Sequence, residues 1–166
     1  KLVLGLRHDD FRLSSTNRTS GFTATRSDGT WSPRAGLIIK PRENVSLYVS
    51  YARSFLPQSG DQFVVLDATT ATLAPQEFRN LEAGVKWDVT DRLAFTGALY
   101  QLDRTNTRAN DPVTGVVVQT GQSRTKGVEL ALVGTLAKGL QVTLGYALQD
   151  GKITAATSAA PAGRTL

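Results

Sequence analysis

Val45-Ser46-Leu47-Tyr48-Val49-Ser50-Tyr51-Ala52-Arg53-Ser54-Phe55 alternates without a break, with Val45, Leu47, Val49, Tyr51 and Phe55 on one face and Ser46, Tyr48, Ser50, Ala52 and Ser54 on the other. A period of two is the mark of a β-strand with one oily side. The pattern returns at Leu140, Val142, Leu144, Tyr146 and Leu148, at Val128, Leu130 and Leu132, and at Leu81, Ala83, Val85 and Trp87. No comparable helical stripe accompanies it. Further strands are expected at Leu2 to Arg12, Trp31 to Lys40 and Leu93 to Arg104, which makes seven. In the last of these Leu93, Phe95 and Leu99 compete with Ala98, Tyr100 and Leu102, so its facing stays open; a bulge would accommodate both sets.

The connections alternate in length. Pro41-Arg42-Glu43-Asn44, Thr90-Asp91-Arg92 and Ala137-Lys138-Gly139 read as tight turns. Between them lie polar segments rich in Ser, Thr, Asn, Asp and Gly, at Ser14 to Thr30, Leu56 to Gln76 and Thr105 to Gly115, with a fourth from Asp150. An antiparallel meander with short turns at one end and long loops at the other is the plan of an outer-membrane β-barrel.

Composition narrows the rest. The 166 residues carry 19 Lys and Arg against 14 Asp and Glu, a net +5 with no basic run, which argues against a nucleic-acid partner. Cys is absent and His8 is the single histidine, so thiolate chemistry has no residue to use and a His-based triad or zinc site is hard to build. In a strand His8 and Asp10 share one face and Asp9 takes the other, so the three cannot converge on a metal. There is no G-x-G-x-x-G, Walker or nucleophile-elbow pattern, and the reading is of a non-enzyme without cofactor. No uncharged run approaches the length of a transmembrane helix. The chain opens inside an apolar alternation at Lys1, as a piece of something longer would.

Whether the oily face meets lipid or a packed core is decided by the aromatic residues. Trp87, and Phe95 if its phase is outward, lie near the Thr90 turn, while Trp31, Tyr51, Phe55, Phe78 and Tyr146 lie toward the long-loop ends. Two aromatic belts suit a membrane barrel and have no special reason to exist in a soluble sandwich.

Five strings resemble the C-terminal half of the TonB-dependent siderophore receptors of Gram-negative bacteria. They are Ser32-Pro33-Arg34-Ala35-Gly36-Leu37, the Val45 to Phe55 strand, Asn80-Leu81-Glu82-Ala83-Gly84-Val85-Lys86, Leu99-Tyr100-Gln101-Leu102-Asp103-Arg104-Thr105-Asn106, and Arg124-Thr125-Lys126-Gly127-Val128-Glu129-Leu130. The resemblance implies a 22-stranded outer-membrane barrel with a plugged lumen, of which residues 1–166 are a partial barrel domain lacking the plug and the final strands. It implies uptake of ferric siderophore, energised through the TonB complex by way of the plug. A passive porin-like channel and a soluble β-sandwich binding module are the alternatives.

On that reading the charges on the polar face, Arg34, Glu82, Lys86 and Glu129, line the lumen and dock the plug, pairing across strands or with plug residues. Ligand candidates are Arg18, Arg26, Arg104, Arg108 and Tyr100, which suit attraction to, or stacking on, an anionic iron chelate. Arg53, Arg79, Arg124 and Lys126 share the outward face at the loop end. There they are expected to form a basic rim facing lipopolysaccharide and outer-membrane lipid.

Overall fold

The computed structural model describes residues 1–57, 73–110, 117–119, 121–155, 162, 163 and 165. Seven strands form one antiparallel sheet in the order β1 (Leu2–Thr16), β2 (Thr23–Arg42), β3 (Val45–Leu56), β4 (Gln76–Thr90), β5 (Leu93–Thr105), β8 (Ser123–Ala137) and β9 (Leu140–Ile153). A small hairpin, β6 (Arg108–Asn110) with β7 (Val117–Gln119), sits in the connection from β5 to β8. Each strand of the large sheet pairs with its successor, a pure meander. Among the described residues no helix is long and apolar enough to cross a membrane.

Register shows why the alternation matters. Leu37, Val49, Ala83, Leu99, Val128 and Leu148 are direct partners in turn across six strands, as are Val45, Trp87, Phe95, Leu132 and Leu144 across five. These rows leave large side chains open: Leu99 is 60% exposed, Leu144 59% and Leu148 59%. Among the described residues the fully buried apolar side chains are Ala24, Leu73 and Leu93, too few for a sandwich core. A one-layer sheet with such a face meets lipid, and the soluble-sandwich alternative is set aside.

The apolar band drifts across the register. Its upper edge lies at Trp31 on β2, at the direct partners Tyr51 and Leu81 on β3 and β4, and at the partners Leu99, Val128 and Leu148 on β5, β8 and β9. From Trp31 to Leu37, which is level with Leu148, is about six residues or ~20 Å along the strand, over five strand spacings of ~4.8 Å. That slope is about 40°, the strand tilt needed for a flat lipid slab to cut a barrel sheet.

Several expectations are corrected by the structure. The segment Ser14 to Thr30 is largely strand: β1 and β2 pair in register from Leu2 with Leu37 to Thr16 with Thr23, leaving only Asn17 to Phe22 as the loop. Above the lipid the face that continues from Trp31 carries Asp10, Arg12 and Ser14, and the other mixes Phe11 and Leu13 with Asp9 and Ser15, so no oily face marks it. The turns are tighter than expected, at Glu43-Asn44, Asp91-Arg92 and Lys138-Gly139, the last with Gly139 at φ 81°. Strand β5 is unbroken from Ala94 to Arg104, so no bulge divides it. Phe95 and Leu99 face outward, and Ala98, Tyr100 and Leu102 face the polar side. Phe78 partners Ser54 and Arg104 on the polar face, so it is not part of the outer aromatic belt. Most of Leu56 to Gln76 lies outside the described residues.

Candidate functional site: the polar wall and the outer rim

The polar face is concave. One hollow of about 1000 Å³ is bordered by Arg34, Tyr48, Ser50, Glu82 and Lys86, and a second of about 390 Å³ by Ser54, Phe78, Asn80, Tyr100, Leu102 and Glu129. The Tyr48 hydroxyl donates to Glu82 Oε1 at 2.6 Å, and Lys86 Nζ stands 6.0 Å from the centre of the Tyr48 ring. Tyr100 donates to Gln149 Oε1 at 3.2 Å. Three long side chains lie over glycines that are their direct cross-strand partners: Arg34 over Gly5, Tyr48 over Gly84 and Tyr100 over Gly127. A glycine leaves room for the neighbour to lie against the wall rather than project into the interior.

Of the four wall charges, Glu82 is held by Tyr48, whereas Arg34, Lys86 and Glu129 make no ion pair among the described residues. Unpaired charges on a wall suit a partner brought from outside the sheet.

The ligand candidates are not brought together as a set. Tyr100 and Arg104 share the polar face of β5. Arg104 Nη2 donates to Gln76 Oε1 at 2.9 Å, and its guanidinium carbon lies 5.4 Å from the Phe78 ring centre. Arg26 instead forms a two-pronged bond with Asp28, at 2.6 and 2.7 Å, on the β1–β2 hairpin. Arg18 is exposed in the tip loop. Arg108 opens β6, and its side chain lies outside the described residues. Sequence reasoning missed Phe78 and Gln76, which hold Arg104; the alternation of β4 and β5 was the available signal. It also missed the Thr30 hydroxyl, buried without a hydrogen-bond partner among the described residues.

On the outer face one register row runs Arg53, Arg79, Asp103, Arg124, Lys152. Glu77 joins it from one step above, accepting from Arg53 Nε at 2.9 Å and Nη2 at 2.8 Å and from Arg79 Nε at 2.5 Å. Arg124 Nε donates to Asp103 Oδ1 at 2.5 Å, and Lys152 pairs with Asp150 at 2.8 Å. Lys126, one row lower and opposite Asp150, has no ion pair among the described residues. The Arg row therefore carries its own carboxylates. Burial works against the Glu77 charge, but the hydrogen bonds from Arg53 and Arg79 outweigh it and hold the carboxyl below the usual range. The hydrogen bond from Arg124 holds Asp103 low against its partial burial.

A meander with an exposed apolar band at the tilt of a barrel, a polar concave wall and charged rims defines a segment of an outer-membrane β-barrel. The chain matches the TonB dependent receptor-like β-barrel family over residues 1–166, and it belongs to that family. It is 34% identical, over 92% of its own length, to the probable TonB-dependent siderophore receptor PiuA of Acinetobacter baumannii, and covers 22% of that protein. It is 32% identical, over 99% of its length, to the metal-pseudopaline receptor CntO of Pseudomonas aeruginosa, covering 24%. The crystal structure of the siderophore receptor PiuA from Acinetobacter baumannii superposes with a TM-score of 0.81 at 31% identity, over 99% of this chain and 25% of that one. The chain thus spans about a quarter of the relatives it matches.

Proposed function

We propose that this chain is part of the barrel wall of a receptor that takes up ferric siderophores across the outer membrane, energised by TonB through a plug domain. The observation that carries the reading is the family match over the full sequence, joined to relatives that are receptors for siderophores and for a metal-pseudopaline complex. The family is one of receptors rather than enzymes, and the passive-channel alternative is not favoured by it.

Within the wall, Arg34, Lys86, Glu82 and Glu129 face the plug. The Arg104, Phe78 and Tyr100 group faces the path of an anionic chelate, offering one cation and two rings on one side. Arg18, Arg26 and Arg108 are outlying candidates of lesser reach. The outer Arg row with Lys126 meets lipopolysaccharide phosphates at the upper interface.

The test is growth. A receptor-deleted strain carrying the full-length gene should grow in iron-limited medium on at least one of a panel of single siderophores, and only with TonB intact. Growth on none, with TonB-independent solute flux instead, would favour a passive channel.

A further inference from the structure

We propose that Arg42 and the apolar cleft beside it hold one glycerophospholipid of the inner leaflet of the outer membrane, its phosphate on the guanidinium and an acyl chain in the cleft. The inference rests on the membrane-barrel reading and is independent of any transported substrate.

A bulge places Arg42. Up to Ile39 the odd-numbered residues of β2 face lipid, but the register shifts between Ile39 and Arg42, so that Arg42 stands directly opposite Val45. Val45 is on the apolar face, in the row with Trp87 and Phe95. A bulge adds a residue and reverses the phase, turning outward a cation that unbroken alternation would have pointed to the lumen. Pro41, Arg42, Val45, Val85, Trp87 and Phe95 together line a cleft of about 340 Å³.

Depth and charge identify the occupant. From the Val45 row to the Arg53 row is about eight residues, ~27 Å along the strand and ~21 Å along the membrane normal at a tilt near 40°. Arg42 therefore lies at the interface opposite to that of the Arg53 and Arg79 row. At that other interface the arginines bring their own carboxylates. The Arg42 side chain is exposed and makes no ion pair or hydrogen bond among the described residues. Its neighbour Glu43 is in the turn, and Asp88, the partner of Ala94, faces the lumen. A guanidinium at a lipid interface beside an aromatic-lined cleft lacks an anion, and the one that recurs at that depth attached to an apolar tail is a phospholipid phosphodiester. The fork of Arg suits two of its oxygens, while Trp87 belongs at headgroup level with its ring against acyl chain.

The full-length receptor can be taken from nanodiscs of phosphatidylethanolamine and phosphatidylglycerol into mild detergent, with retained phospholipid counted by native mass spectrometry. Arg42→Gln should lower retention about tenfold, the scale of a lost charged hydrogen bond, while Arg53→Gln leaves it unchanged. Arg42→Lys, which keeps the charge but not the fork, should fall between wild type and the Gln variant, and it serves if the Gln variant does not assemble. Equal retention in wild type and the Arg42 variants would overturn the proposal. So would an equal loss in Arg53→Gln, or release of the lipid by millimolar inorganic phosphate, which would indicate an anion site without lipid recognition. Siderophore uptake is not read in this experiment, so its outcome and that of the growth test are separable.

Discussion

The ring of Tyr100 lies across Gly127, its direct partner on β8, so closely that a methyl group there would meet the ring at 2.5 Å. Tyr48 covers Gly84 in the same way, and there the added carbon would also lie 2.6 Å from the Gly97 carbonyl oxygen. At Gly5 the obstacle is the Arg34 side chain alone, which is flexible. The three glycines should therefore respond differently to Ala. Gly84→Ala, blocked by backbone, should cost the most, near the top of the roughly 1–3 kcal/mol typical of overpacking; Gly127→Ala should cost less and Gly5→Ala least. Thermal melts of the three full-length variants check the order. If Gly5→Ala proves the worst, the wall is not packed as described.

How much of this was legible in sequence depends on whether lipid was there to impose contrast. Strands β3, β4, β8 and β9 cross the band with apolar residues on one face and polar ones on the other, so their phases are readable directly. The β1–β2 hairpin above Trp31 has water-compatible residues on both sides, Asp9 and Asp10 or Ser27 and Asp28, and hides its strands among loop-like composition. In β5 the polar wall itself carries Ala98, Tyr100 and Leu102, which imitates a second oily face. The pairing of Arg53 with Glu77 depends on a register between strands separated by a long connection, and Arg42 on a bulge; neither is written in local alternation.

The rim should make the receptor sensitive to acid. Glu77 and Asp103 lie above the apolar band with carboxyls held below their usual range, so their contribution is fully present above the unfolded values of about 4.3 and 3.9. It is lost as pH falls through the lower folded values, when the unfolded state binds its protons first. The melting midpoint of the wild type should fall as pH drops below about 4, and a Glu77→Gln, Asp103→Asn variant should start lower at pH 7 and fall less steeply. Parallel curves for the two proteins between pH 7 and 3 would show that these pairs contribute no linkage.

Arg104 is placed by Gln76 on one side and the Phe78 ring on the other, on the wall that a descending chelate would pass. Arg104→Ala should weaken binding of the ferric siderophore identified by the growth test about tenfold, the scale of a lost charged hydrogen bond. Gln76→Ala, which frees the guanidinium without removing it, should have a smaller effect. Arg26 is committed to Asp28, so Arg26→Ala should alter the hairpin's resistance to protease more than affinity. Binding titrations with the same chelate compare all three. Unchanged affinity in Arg104→Ala would remove β5 from the ligand path.

The pairing within the outer row changes what its cations can offer to lipopolysaccharide. Arg53 and Arg79 share Glu77, and Arg124 is bound to Asp103, so each must divide its donors between a protein carboxylate and a lipid phosphate. Lys126 makes no ion pair among the described residues, its cross-strand partner Asp150 being taken by Lys152, and it sits one row nearer the apolar band, level with Leu81 and Gln101. A cation at that height costs only about 0 to 1 kcal/mol to expose at the interface, and a phosphate contact offsets it. Replacing Arg53, Arg79, Arg124 and Lys126 together by Gln should lower the lipopolysaccharide that co-purifies with the full-length receptor while leaving chelate affinity intact. Lys126→Gln alone should reproduce the larger part of that loss, because each of the three arginines stays ion-paired to a carboxylate of the protein. Loss of chelate binding with normal lipopolysaccharide content would overturn the role of the rim, and an equal share for each of the four would show that the built-in carboxylates do not compete with lipid.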